Sequence, residues 1–268
     1  MASNTFTNFY PTLWSDQAFF EFAAAAIAPQ VVNTTWVDPG GPSDAVRIPK
    51  FAFSTAQIDD VSNLIDAPDA ASEATLVLNL DNNKGFHFEV EYTEQDQANV
   101  QLGESILMQR TAALAAVVDQ NVFAAASGAT TTLTGTVTRA TLVSAIELLN
   151  ENNAPQTDRV LVVNPDVYSD LLGISDFMRS DSIAGADANR TGLIGQALGL
   201  DVFLSNNIPS GVGDAIVMHR VGLAMAMLRT IDVRVFDQPR HFAVGYTGRA
   251  IWGETLIDAD LVVPLDRA

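Results

Sequence analysis

The sequence predicts a mixed α+β fold with an α/β module in its second half, and three patterns lead to this prediction. The apolar run Val160–Val163 is typical of a buried strand, and a helical pattern follows the turn at Asn164-Pro165. The longest helical pattern covers 96–126, with apolar residues at spacings of seven and four. Apolar and polar residues alternate in two segments between 45 and 92, which is the pattern of half-exposed strands.

Composition limits the classes of function. The chain has 268 residues and is 48% hydrophobic, which is enough to bury a substantial core. It carries 14 Lys and Arg against 32 Asp and Glu, a formal charge of −18, and its only lysines are Lys50 and Lys84. Affinity for a polyanion comes from many cation–phosphate contacts, and no basic run supplies them here. This argues against sequence-specific nucleic-acid binding, but it is compatible with enclosing nucleic acid without gripping it.

Cysteine is absent, which excludes disulfides and thiolate metal sites. The N-terminus lacks a positively charged region, and Glu21 interrupts the apolar stretch 18–28. We therefore expect neither a signal peptide nor a membrane span, and we expect synthesis in the cytoplasm.

Residues 1–37 form a predicted arm. Ser15 is a candidate N-cap for a helix over 16–28 that stops at Pro29. Phe19 and Phe22 fall on one apolar face of that helix, together with Ala26. The face could pack on the protein's own core or dock on a neighbouring subunit, and the sequence leaves both interpretations open.

Residues 38–93 form a predicted β excursion. A first strand over 45–53 contains Phe51 and Phe53, and the acidic stretch 57–72 follows it. Two more strands, 75–80 and 85–92, are predicted to form a hairpin through the turn 81–85. The second of them carries Phe86 and Phe88 on its apolar face. These strands are too few for an independent domain, so the excursion needs a partner surface.

The remaining elements are predicted from periodicity and turn residues. The helix over 96–126 would span about 45 Å at 1.5 Å per residue, with one apolar stripe of Val100, Leu107, Leu114, Val118 and Val122. A second helix covers 139–150. Strands are expected over 201–205, 214–218, 234–236 and 242–252, and a C-terminal strand over 254–265 must pair with an earlier segment. Residues 221–228 are helical or extended.

Candidate chemical sites are weak in this sequence. Gly192, Gly195 and Gly199 lack the spacing of a dinucleotide or phosphate loop, so tight turns explain them better. The acidic residues do not have the spacing of an EF-hand, although a weak calcium site between subunits stays open. The histidines have no short ligand spacing; they are His87, His219 and His241. We predict no catalytic residue, no cofactor and no metal site.

The order of elements resembles the major capsid protein of tailed double-stranded DNA bacteriophages, of the Hong Kong 97-like fold. Residues 46–53 and 85–92 resemble that family's E-loop, and 96–126 resembles its spine helix. The axial domain is matched by 159–165, 191–195, Gly199 and 202–209, and the last strand of the peripheral domain by 256–265. The resemblance implies five segments: arm (1–37), E-loop (38–93), peripheral domain with spine helix (94–157), axial domain (158–238) and a return to the peripheral domain (239–268).

This resemblance implies a structural protein of the virion that self-assembles as hexamers and pentamers into an icosahedral shell around DNA, without binding it specifically. A portal protein and a separate scaffolding or decoration protein are implied partners, since no scaffolding segment is expected ahead of the arm. The predicted intersubunit contacts are Phe19, Phe22, Phe51, Phe53, Phe86 and Phe88. Some members of the family join subunits through a lysine–asparagine bond, but solvated charges explain Lys50 and Lys84 better.

Three alternatives remain at this stage. An encapsulin-type compartment would have a similar fold and would enclose a protein cargo instead of DNA. A small-molecule enzyme would use the α/β module and would need a concave site with perturbed acids, which the sequence does not assemble. A decoration or tail protein would not form closed shells by itself.

Overall fold

The computed structural model of this protein describes residues 26–35, 45–52, 72–98, 102–174 and 195–267. Within these ranges the strands form three sheets of two, three and six strands. The helices are α1 (Ala28–Val31), α2 (Tyr92–Gln97), α3 (Leu102–Ala124), α4 (Arg139–Glu151) and α5 (Pro165–Gly173). The strands are β1 (Ala45–Ala52), β2 (Ser72–Asn79), β3 (Asn82–Glu91), β4 (Leu133–Thr134), β5 (Arg159–Val163), β6 (Gln196–Ala197), β7 (Leu200–Leu204), β8 (Ala215–His219), β9 (Leu223–Gln238), β10 (Ala243–Leu256) and β11 (Val262–Asp266).

The six-stranded sheet has the order β4-β11-β8-β5-β7-β6. Its strand β5 pairs in parallel with β7 and antiparallel with β8, and all five residues of β5 are buried. Leu161 and Val163 pack in a cluster with residues of α4 and α5, whereas Val160 and Val162 pack in a cluster with residues of α3. Coverage of both sheet faces explains the uninterrupted apolar run Val160–Val163.

Side-chain caps determine where α4 and α5 begin. Thr138 Oγ1 accepts a hydrogen bond from the Thr141 N–H at 3.3 Å, and Asn164 Oδ1 accepts one from the Val167 N–H at 2.8 Å. Pro165 occupies the first turn of α5, where a missing N–H removes no helical hydrogen bond. The predicted turn at Asn164-Pro165 and the helix after it are confirmed.

The three-stranded sheet has the order β3-β10-β9, and one face of it packs against α3. On this face the Phe88 ring stacks on Tyr246, with centroids 4.9 Å apart. Gly103, in the first turn of α3, lies so close to Tyr246 that a Cβ atom would overlap the tyrosine side chain. The predicted long helix is confirmed in type but is shorter than expected. It begins at Leu102, its 23 residues span about 35 Å, and Asp96 and Gln97 belong to α2 instead.

The third sheet is an antiparallel ribbon of β1 and β2, running from Ala45 opposite Asn79 to Ala52 opposite Ser72. Ile48 and Leu78 are buried on one side of the ribbon, where they pack in a cluster with two alanines of β9. The ribbon is therefore attached to the body near its base. Residues 53–71, which connect its two strands, lie outside the described part of the chain.

The predicted hairpin between 75–80 and 85–92 is wrong, although both segments are strands. β2 pairs with β1, β3 pairs with β10, and residues 82–85 belong to β3 instead of a turn. All ten residues of β3 pair with β10, and this register places Phe88 opposite Tyr246. Tertiary packing on a distant strand therefore outweighs the proximity in sequence that suggested a hairpin.

Two further predictions of strands need correction. Residues 221–228 and 234–236 do not form separate elements, because Leu223–Gln238 is one strand of 16 residues. The expected C-terminal strand over 254–265 is divided between β10 and β11 by a turn in which Asp258 Oδ1 accepts from the Asp260 N–H at 3.3 Å. β11 pairs with β8 and β4, so the prediction that the last strand joins earlier segments is confirmed.

Strand pairing crosses the predicted segment boundaries. β9 lies in 158–238 and β3 in 38–93, yet both pair with β10 in 239–268. β11 also lies in 239–268, but it belongs to the six-stranded sheet. The five segments therefore share sheets, and their division by role in assembly stays a prediction.

Gly253 of β10 should not tolerate a side chain, because a Cβ atom there would overlap the backbone oxygen of Asn79 at the base of the ribbon. We expect Gly253→Ala to lower the free energy of unfolding by about 1–3 kcal/mol in urea denaturation. Gly173→Ala is the control, since nothing lies within 4 Å of a Cβ atom at that position, and it should be neutral or slightly stabilising. Equal stabilities of the two variants would contradict close packing between β10 and the ribbon.

Candidate assembly surfaces

Residues 26–35, which we call the arm base, lie against α3. Ala28, Val31 and Val32 are buried in the cluster that contains Val118 and Val122 of α3. At its other end the arm base is hydrogen-bonded to β9, where Asn33 N donates to Leu223 O at 3.0 Å and Met225 N donates to Asn33 O at 3.0 Å. These contacts fix the position of the arm base on α3 and β9.

A buried carboxylate on α3 holds the first residues of the arm base. Asp119 Oδ2 accepts from the Ile27 N–H at 2.8 Å and from Asn207 Nδ2 at 3.1 Å, and Oδ1 accepts from the Ala28 N–H at 3.1 Å. Asp119 is fully buried. We call this carboxylate with its three donors the Asp119 clasp.

A polar contact also holds the ribbon to the body. Lys50 Nζ lies 3.2 Å from Asp258 Oδ2 and also donates to Ile257 O at 3.5 Å. Both charged side chains are substantially exposed, so the pair contributes about 0–1 kcal/mol. Lys50 is thus paired within its own chain, whereas Lys84 borders a groove of about 200 Å³ with Arg110 and Phe86. The expectation that neither lysine joins subunits covalently stays a prediction.

The opposite face of the three-stranded sheet carries a polar cluster around Glu89. Glu89 Oε2 lies 3.0 Å from His241 Nδ1, Oε1 lies 3.2 Å from His87 Nε2, and Gln238 Nε2 donates to Oε1 at 2.9 Å. The hydrogen bond from His241 is the main cause that lowers the pKa of Glu89 below its ordinary value, and His87 adds to it. The fold thus brings together two histidines that the sequence places far apart.

The tip of the hairpin formed by β9 and β10 exposes apolar side chains. Phe242 is 74% exposed and Val235 is 58% exposed. Beside them the Tyr92 hydroxyl donates to Asp237 Oδ1 at 2.6 Å, which raises the pKa of Tyr92 and ties the start of α2 to β9. An exposed phenylalanine on an ordered tip is a candidate contact with another molecule.

The predicted contact residues are distributed unevenly over the structure. Phe19, Phe22 and Phe53 lie outside the described residues, and so does the side chain of Phe51, whose backbone is in β1. Phe86 and Phe88 are half-buried within their own chain, with ring centroids 6.2 Å apart, on the sheet face that packs against α3. A role for these six residues between subunits stays a prediction. Of the predicted helix over 16–28 only residues 26–28 are described, and its predicted end at Pro29 is wrong. Ala26 and Ile27 are not helical, and Pro29 lies in the first turn of α1, which runs from Ala28 to Val31.

Gly199 and His219, which were considered for phosphate or metal binding, are explained by their local structure. Gly199 has a φ of +80° in the turn between β6 and β7, which fits the predicted tight turn, while Gly192 is outside the described ranges. His219 is buried, its Nδ1 accepts from the Val221 N–H at 3.3 Å, and burial lowers its pKa. Among the described residues no group of three or more His, Asp or Glu is arranged to hold a metal ion. None of the helices in the described ranges is long and apolar enough to cross a membrane.

Sequence reasoning missed Asp119 and Phe242. A signal for Asp119 exists, because it is a charged residue between Val118 and Val122 of the apolar stripe on α3. Such a position on a buried face calls for a hydrogen-bonding partner. Phe242 begins the predicted strand over 242–252 and is followed by Ala243 and Val244, so the sequence alone does not distinguish it from a buried strand residue.

Comparisons with known proteins agree with this architecture. The family model described as phage capsid protein matches residues 86–261, about two thirds of the chain. A solved structure from Mycobacterium phage Che8 is 24% identical, with a TM-score of 0.84, over 97% of this chain and 98% of that one. The capsid structure of cyanophage P-SCSP1u is 17% identical, with a TM-score of 0.78, over 97% of this chain and 94% of that one.

The mature capsid of bacteriophage PhiM1 is also similar, at 14% identity and a TM-score of 0.74 over 96% of this chain and 92% of that one. No curated protein sequence matches significantly. At these identities the solved structures establish the fold, and the family model establishes the family. The chain therefore belongs to the phage capsid protein family, as a structural major capsid protein with the Hong Kong 97-like fold.

Proposed function

We propose that this protein assembles as hexamers and pentamers into an icosahedral shell that encloses double-stranded DNA. The observation that carries the proposal is the ribbon of β1 and β2, which is anchored to the body near its base and pairs with no other strand in the described part of the chain. A two-stranded ribbon is marginally stable by itself. We expect an adjacent copy of the chain to supply the partner surface that the ribbon needs.

The charge of the protein supports enclosure of DNA without specific binding. A formal charge of −18 supplies no excess of cations for phosphate contacts. Several of the described cations are already paired with carboxylates, as in Lys50–Asp258, Arg220–Asp201 and Arg229–Asp232. An acidic wall repels the DNA backbone, so the packaged genome does not adhere to it.

The proposal extends to location and partners. Copies of the chain form the virion capsid after synthesis in the host cytoplasm. A portal protein supplies the DNA entrance, and a separate scaffolding or decoration protein is a further candidate partner. A protein that forms the wall of a shell does not need catalytic activity, so the proposal is that the chain is not an enzyme.

The first test is expression of the chain alone, followed by light scattering and negative-stain electron microscopy. We expect closed particles, or rings of five and six subunits. Shells from phage-infected cells should contain DNA that nuclease cannot reach until the shells are opened. A protein cargo in place of DNA would support an encapsulin-type compartment, and a persistent monomer despite coexpression of the neighbouring phage genes would contradict shell formation.

Substitution on the ribbon tests its role in assembly. Phe51→Asp should give a folded, soluble subunit that no longer forms closed shells, because a carboxylate at an apolar contact between subunits would be buried without a partner. Thr75→Asp is the matched control, since it adds the same charge at an exposed position on β2 of the same ribbon. Phe88 is unsuitable for this test because its ring stacks on Tyr246 within the chain.

Circular dichroism should show both ribbon variants folded, and electron microscopy should show shells only for Thr75→Asp. Normal shells from Phe51→Asp would remove this residue from the assembly contacts. Loss of shells in both variants would mean that the added charge, and not the position of Phe51, is responsible.

A further inference from the structure

The Asp119 clasp places a carboxylate in the core without a cation beside it. Among the described residues no Lys, Arg or His forms an ion pair with Asp119, although its side chain is fully buried. Burial of an unpaired carboxylate is costly unless hydrogen bonds replace its water. The three donors at 2.8, 3.1 and 3.1 Å supply this replacement.

Two of these donors belong to the start of a helix. The N–H groups of Ile27 and Ala28 lie at the N-terminus of α1, where no intrahelical acceptor is available to them. Helices usually satisfy such groups with a local Ser, Thr, Asp or Asn. In α1 no local side chain does so, and the acceptor comes from α3 instead, 91 to 92 positions further along the chain.

The third donor connects the clasp to the six-stranded sheet. Asn207 is 3% exposed and follows β7, and its backbone N–H donates to Ser205 Oγ at 3.1 Å. The Ser205 N–H in turn donates to Val163 O at the end of β5, at 2.8 Å. The Asp119 carboxylate on α3 is therefore hydrogen-bonded directly to the arm base, and it is linked through Asn207 and Ser205 to the ends of β7 and β5.

We propose that Asp119 is a positioning residue for shell assembly, which fixes the position and direction of the chain at Ile27 and Ala28, where residues 1–25 join the described part. This inference rests on the proposed function, because it assigns those residues to contacts with a neighbouring copy of the chain. The bridge from Asn33 to β9 holds the other end of the arm base independently. Loss of the clasp should therefore release residues 26–31 locally without unfolding the protein.

The geometry of the clasp makes Asp119→Asn a sharp test. Both carboxylate oxygens face N–H donors, Oδ1 towards Ala28 and Oδ2 towards Ile27 and Asn207. An asparagine amide has only one oxygen. In either orientation its NH₂ group would face an N–H donor in place of an acceptor, so at least one of these hydrogen bonds would be lost. We expect hydrogen exchange of the 26–31 amides to rise about tenfold or more, exchange in α3 and β5 to stay unchanged, and closed shells to be lost or misshapen.

A second variant distinguishes the effect of the clasp on the arm base from its effect on the six-stranded sheet. In the double variant Asp119→Asn with Asn207→Asp, the amide introduced on α3 can donate to the carboxylate introduced after β7, so the link between these two elements is restored. The Ile27 N–H still lacks an acceptor. We expect this variant to keep the fast exchange of the arm base and the assembly defect. Recovery of normal shells would overturn a role in positioning the arm.

Leu142→Ala provides the control for lost stability. Leu142 is fully buried in the other core cluster, with α4 and α5, so its truncation should lower the melting temperature without changing exchange in the arm base. We expect this variant to form normal shells. An assembly defect equal to that of Asp119→Asn would attribute the defect to stability alone and overturn the proposal.

The remaining outcomes are also decisive. Normal shells from Asp119→Asn would overturn the positioning role, whether or not exchange in the arm base rises. Wild-type protein is assembled in parallel, with the phage partner proteins where it needs them. Failure of the wild type would overturn the proposed function and the assembly role of Asp119 with it, whereas failure of the variants alone supports both.

Discussion

The apolar face of α3 is the constraint on which the rest of the structure depends. Leu114, Val118 and Val122 belong to one buried cluster with residues of both larger sheets, among them Val162 of β5 and Trp252 of β10. Without this shared core the three-stranded and six-stranded sheets would have separate and smaller cores. Because burial of apolar surface is the main driving force for folding, the helix makes the two sheets one body.

Two peripheral elements, the ribbon and the arm base, are attached to this body. The ribbon is attached through Ile48 and Leu78, and the arm base through the Asp119 clasp and the bridge to β9. Both attachments are made on elements that the shared core already fixes. Exposed edges and apolar tips are liabilities for a monomer, and we propose that they become contacts in a shell. The net charge of −18 opposes unwanted association before assembly.

Much of the fold could be predicted because its signals are local. The run Val160–Val163, the turn at Asn164-Pro165 and the apolar stripe of α3 each specify an element from neighbouring residues alone. The pairing of β3 with β10 could not be predicted this way, because the choice depends on Phe88 meeting Tyr246 far along the chain. Proximity in sequence favoured β2 instead. Asp119 was missed for a related reason, since its partners are brought to it only by the tertiary fold.

The central claim is that α3 and the sheets around it form a body that is complete in one subunit, while residues 1–25 and 53–71 supply contacts between subunits. Hydrogen exchange measured on unassembled subunits and on closed shells tests this claim most directly. We predict that protection gained on assembly is concentrated in peptides from those two segments and from the tip at 237–242. Amides of α3 and β5 should be equally protected in both states. Protection gained mainly in α3 or β5, with none in the two segments, would contradict the account.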